Sequence, residues 1–85
     1  MNLLSDNDFQ VLKRAMIRNE EISMTRTLKD VSVTATTCPV TDPWTVAMVL
    51  QIRMSKGKYS WIQNFERVEE AKKKLDKWDT RFHWL

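Results

Sequence analysis

From Trp44 to Ser55 the chain alternates strictly, with Trp44, Val46, Met48, Leu50, Ile52 and Met54 on one side and Thr45, Ala47, Val49, Gln51, Arg53 and Ser55 on the other. A period of two held over that length marks a long β-strand with one buried face. It predicts the central strand of a sheet. Ser55-Lys56-Gly57-Lys58 follows as a hairpin turn around the only glycine, which takes a positive φ at no steric cost. Tyr59 to Gln63 then returns as an antiparallel neighbour. Upstream, Val31, Val33 and Ala35 alternate with Ser32, Thr34 and Thr36, a third half-buried strand. Cys38-Pro39-Val40-Thr41-Asp42-Pro43 reads as the loop between them, because proline cannot donate to a ladder.

Helices close both ends. Ser5 is a good N-cap with Asp8 three residues on, and Leu4 and Phe9 occupy the two positions of a hydrophobic staple. Phe9, Leu12 and Met16, widened by Val11, Ala15 and Ile17, make the apolar side of that helix, which ends near Asn19–Glu21. Asn64 suits a second cap. Phe65, Val68, Ala71, Leu75, Trp78, Phe82 and Leu85 recur at spacings of three and four after it. The expected fold is one α+β domain, αβββα, with a helix over about 5–20, strands over about 28–37, 44–55 and 58–63, and a long helix over about 65–83.

Eighty-five residues hold one core, and a 42% hydrophobic content is consistent with packing one. Cys38 is the only cysteine, which excludes an intrachain disulfide, argues against a thiolate zinc site and fits a reducing, cytosolic setting. The longest apolar run, Val46 to Leu50, is far too short to span a bilayer. Met1 to Asp8 is polar and acidic, unlike a signal peptide. These features predict a cytoplasmic protein with no membrane partner, placed in the host cytoplasm if phage-encoded.

Catalysis finds little support. There is one His, His83, and no Gly-rich phosphate loop or Ser-His-Asp or Cys-His spacing. Asp6 and Asp8 sit where the helix dipole favours acids, and no His cluster suggests a metal. The expectation is a non-enzymatic binding protein with no cofactor.

Charge points to the second half. Residues 1–43 hold five Lys/Arg against six Asp/Glu, whereas residues 44–85 hold nine against five. Lys73, Lys77 and Arg81 repeat every four residues on one helical face and could contact phosphates. The same helix opens on Glu66, Glu69 and Glu70, so its basic end also reads as a solvated face complementing the macrodipole. On the sheet, if Ser60 and Ile62 share the core side with Leu50 and Ile52, then Gln51, Arg53, Tyr59 and Trp61 form an outer face. Such a set could stack on bases or read their edges, with Lys56 and Lys58 in the turn beside it. If the first helix covers that face, Trp61 is instead a core residue.

The order Trp44-Thr45-Val46-Ala47, Gln51-Ile52-Arg53, Lys56-Gly57-Lys58, Trp61-Ile62, Phe65, Glu69-Glu70-Ala71 and Leu75-Asp76 resembles the DNA-binding domain of plant ethylene-response factors and its relatives at the N-termini of phage integrases. That resemblance implies a three-stranded sheet on one helix, its exposed face entering the major groove. It puts Gln51, Arg53, Tyr59 and Trp61 at base and backbone contacts, and Ile52, Ile62, Phe65 and Ala71 at packing positions. Gln63 stands where the family has glycine, and Ser32, Thr34 and Thr36 stand where it has arginines. The element order also matches double-stranded-RNA-binding domains, whose second helix opens on lysines where this one opens on glutamates.

Two partners therefore follow. The first is nucleic acid, DNA ahead of RNA, held by Gln51, Arg53, Lys56, Lys58, Tyr59 and Trp61 with Lys73, Lys77 and Arg81 assisting, and lost on Trp61→Ala. The alternative is a host protein, such as a nuclease or defence complex, blocked by a phage-type inhibitor through its aromatic surface. A homodimer through an open sheet face or edge is the third reading.

Overall fold

Alternation and capping signals resolve into six elements. These are α1 (Asp6–Ile17), β1 (Ser23–Leu28), β2 (Val31–Thr41), β3 (Val46–Lys56), β4 (Tyr59–Phe65) and α2 (Val68–Phe82). The computed structural model describes the backbone of residues 3–41 and 46–82 and the side chains of residues 3–40 and 47–77. The strands form one antiparallel meander in the order β1-β2-β3-β4. The α+β class is as expected, but the sheet has four strands rather than three.

The added strand is β1. Its inward positions are Met24, Arg26 and Leu28, opposite Ala35, Val33 and Val31. A charged residue in the middle of the inward set breaks the alternation that would have marked it. Asp8 neutralises that charge, accepting from the Arg26 guanidinium at 2.9 Å. The turn that follows carries Lys29 at φ 56, a left-handed position held without glycine or asparagine. Thr37, fully buried, fastens the approach to β1. Its Oγ1 accepts from the Ile22 N–H at 2.8 Å and donates to the Glu20 carbonyl at 2.7 Å.

The segment around Pro39 is not a loop. β2 runs through it to Thr41, with Pro39 opposite Met48. The reason lies in the ladder's alternation. Thr37 donates its N–H to the Ile22 carbonyl, so odd-numbered residues of β2 direct their backbone groups towards β1. Two residues on, the Pro39 nitrogen points past the start of β1, where a missing donor costs nothing. The second helix also starts later than expected, at Val68, because Asn64 and Phe65 extend β4 rather than cap a helix.

Both helices lie on one side of the sheet. Leu4, Phe9 and Leu12 from the α1 end meet Val31, Val33, Ala35, Leu50, Ile52 and Met54 from the strands and Phe65, Val68, Ala71 and Leu75 beyond them, as one core. Lys13–Glu69 and Lys72–Asp6, at 2.8 and 2.9 Å, pin the helices to each other at the surface. Ile17, counted on the apolar side of the first helix, is exposed.

The α1 N-terminus is a reciprocal capping box. Ser5 Oγ accepts from the Asp8 N–H at 3.1 Å, and Asp8 Oδ2 accepts from the Ser5 N–H at 3.0 Å. Burial pushes the Asp8 carboxyl up, but the hydrogen bonds from Ser5 and Arg26 outweigh it and hold the group below the usual carboxylate range. A carboxyl depressed in the folded state contributes stability above its unfolded value, and that contribution is lost as pH falls through the folded value. Asp8→Ala is therefore expected to cost about 1–2 kcal/mol at neutral pH. In denaturant titrations the gap from the parent protein should close at acid pH; a gap that widens there would contradict this role.

Candidate functional site

Residues directly opposed in an antiparallel ladder share a face, so the register states what lies on the side that no helix covers. Three rows cross all four strands: Ser23–Thr36–Gln51–Asn64, Thr25–Thr34–Arg53–Ile62 and Thr27–Ser32–Ser55–Ser60. None of these positions is acidic, and only Ile62 is a large apolar residue. Facing hydroxyls bond each other, Ser23 to Thr36 at 3.1 Å and Thr25 to Thr34 at 3.0 Å. Their remaining capacity faces outward.

Arg53 sits near the middle of this field, exposed, between Thr34 and Ile62. Among the described residues no carboxylate pairs with it. A guanidinium with its donor fork uncommitted, two opposed amides in the next row and a surround of hydroxyls can make directed polar contacts.

The expected quartet is divided. Gln51 and Arg53 are on the open face, but Trp61 lies opposite Met54 and Tyr59 opposite Lys56, on the helix side. The register is thus the reverse of the one that would join them: Ser60 and Ile62 face outward with Ser55 and Arg53. Trp61 packs against the core, 6.3 Å from the Phe65 ring centroid, with Lys74 Nζ 5.8 Å above its own ring. It is not a base-stacking residue of the open face. Nor is Ile62, at 51% exposure, a packing residue.

Tyr59 and Trp61 instead line a groove of about 800 Å³ on the helix side of the β3–β4 hairpin, with Met54, Lys56 and Lys58. Lys73 and Lys77 line a second groove between β4 and α2, together with Phe65, Glu70, Lys74 and Asp76. The sheet separates them from Arg53, so they cannot assist it on one ligand surface. The Arg81 side chain, Trp44, His83 and Trp84 lie outside the described residues.

The two hairpin turns meet at one end of the sheet, where Gly57 donates its N–H to the Asp30 carbonyl at 3.3 Å. This places Lys29 near Lys58 at that end of the open face, whereas Lys56, opposite Val31 and Tyr59, is on the helix side and not, as expected, beside Arg53. Thr25, Thr34, Thr36, Asn64 and Lys29 were not among the residues anticipated. The strand containing Thr25 carried no clear period, and hydroxyls on an outer face look like ordinary solvated positions.

Fold and face together define an α+β protein with a helix-covered sheet surface and an open one, polar and acid-free over its three full rows among the described residues and apolar towards Val40 and Val49. The chain matches no protein-family model, no curated protein and no solved structure. Among the described residues, no helix is long and apolar enough to cross a membrane.

Proposed function

We propose that the protein is a non-enzymatic nucleic-acid-binding module that reads duplex DNA with the open face of its sheet. The observation carrying this reading is Arg53, paired with no carboxylate among the described residues, beside Gln51 in rows that hold no acid. Arginine suits guanine edges, glutamine and asparagine suit adenine, and Ser/Thr serve either, so Arg53, Gln51, Asn64, Thr34 and Thr36 are base-edge chemistry. Strands lie about 4.8 Å apart, so the named side chains on β2, β3 and β4 span about 10 Å, comparable with the width of the B-form major groove that the face would meet, about 12 Å. Lys29 and Lys58 would then meet phosphates at one margin. The deep, narrow major groove of A-form RNA disfavours the same docking.

The test is fluorescence anisotropy of a mixed-sequence DNA duplex across a salt series. With Arg53 and two lysines engaged, log K should fall with log salt at a slope of about −3. Salt-independent binding, or none at low salt, contradicts the reading.

A second reading, a protein partner, is favoured by the groove that gathers Met54, Tyr59 and Trp61 on the opposite side of the sheet. Aromatic and Met side chains rimmed by cations are the composition of interface anchors, and the open face lacks them.

A further inference from the structure

The two edges of this sheet are built differently. A strand edge offers unpaired N–H and C=O groups, and proteins ordinarily protect it with charge, proline or an inward-pointing ion. β1 has such a device in Arg26, drawn inward onto Asp8. β4, Tyr-Ser-Trp-Ile-Gln-Asn-Phe, has no charge, no proline and no glycine over its seven residues. Among the described residues no strand pairs with its outer side. Two large apolar residues exposed on the surface, Tyr59 at 82% and Ile62 at 51%, belong to it.

The ladder identifies which backbone groups are open. Even-numbered residues of β2 face β3, and Thr36 opposes Gln51, so odd-numbered residues of β3 face β2 and even-numbered ones face β4. Ile52 opposes Gln63, which leaves Ser60, Ile62 and Asn64 directing their N–H and C=O groups outward. On the helix side this edge is bounded by Trp61 and Phe65. Lys73, Lys74 and Lys77 stand along the α2 wall against Glu70 and Asp76, and Lys56 and Lys58 stand at the hairpin end against Asp30, five lysines to three acids.

We propose that β4 is a docking edge that takes an extended, acidic segment of a partner protein as a fifth strand. Backbone bonds to Ser60, Ile62 and Asn64 would supply affinity. Alternate side chains of the added strand would enter the groove beside Trp61 and Phe65, where the lysines select acidic residues among apolar ones. A second copy of this chain fits less well. Its β4 brings no charge to those lysines, and pairing β4 with β4 would set one lysine-bearing α2 wall beside another. The proposal rests on the protein-partner reading of the groove alone; Lys58, in the turn, borders both surfaces, whereas Lys73 and Lys77, the pair its test changes, border only this one.

The experiment uses the full chain and two labelled ten-residue peptides, one alternating Glu and Val, the other Lys and Val, read by anisotropy and by amide hydrogen exchange. The Glu-Val peptide should bind and slow exchange at Ser60, Ile62 and Asn64, and the Lys-Val peptide should not. Ile62→Pro removes an outward donor without touching the β3 ladder and should abolish binding. Lys73→Glu with Lys77→Glu, both on an exposed helix face, should weaken binding by about tenfold or more without unfolding the protein. Binding without slowed exchange at those three amides overturns strand addition while leaving the groove as a protein site. Equal binding of both peptides, no binding by either, or protection that grows with protein concentration alone overturns the acidic partner.

Discussion

Replacing Arg53 by glutamate is expected to abolish DNA binding without disturbing the fold. The side chain is exposed and pairs with no described carboxylate, so a surface substitution there should change stability by no more than about 0.5 kcal/mol. Binding loses a bidentate contact of about 1–3 kcal/mol and gains repulsion against phosphates, together about a hundredfold in Kd. Trp61→Ala is the control. Because Trp61 lies on the helix side, its loss should leave DNA affinity within about twofold while it opens the Phe65 contact. Anisotropy measured alongside thermal melts separates the two effects. An Arg53→Glu protein that still binds DNA removes the open face from consideration.

Leu50→Ala has the opposite profile and should act through stability alone. Leu50 is fully buried on β3, opposite Thr37 of β2 and Phe65 of β4, where α2 crosses the sheet. Truncating a core leucine costs about 2–5 kcal/mol. A domain of this size has about 4–13 kcal/mol in all. At 4–8 °C per kcal/mol, the melting temperature should drop by about 10 °C or more, followed by circular dichroism. Ile62→Ala, next to Trp61 in the chain but facing solvent, should shift it very little. A small loss at Leu50 or a large one at Ile62 would contradict the register that divides the faces.

How much of this was legible in the chain follows from what each residue must do. The helix-side face of β3 was plain, because Leu50, Ile52 and Met54 are all apolar and all buried. The α1 cap was plain too, since Ser5, Asp8, Leu4 and Phe9 each serve a local geometry. β1 was hidden by Arg26, an inward charge whose partner Asp8 lies 18 residues away. The end of β2 was hidden because tolerance of Pro39 depends on where another strand stops. The β3–β4 register was the costliest ambiguity. Tyr59, Trp61 and Phe65 share parity, as do Ser60, Ile62 and Asn64, and a one-residue change in pairing exchanges the sets. With Ile62 assigned inward, the aromatics moved to the wrong face and the hydroxyl field went unnoticed. Composition placed cations in the second half, but the division of Arg53 from Lys73 and Lys77 exists only once the sheet stands between them.

The most direct measurement is a ¹H–¹⁵N correlation spectrum of the protein titrated with a mixed-sequence DNA duplex. The account predicts shift changes at Thr34, Thr36, Gln51, Arg53 and Asn64, with Lys29 and Lys58 following at the turn end and α1 and α2 unmoved. Changes confined to Trp61, Lys73, Lys74 and Lys77, or a spectrum that does not change at low salt, would contradict it.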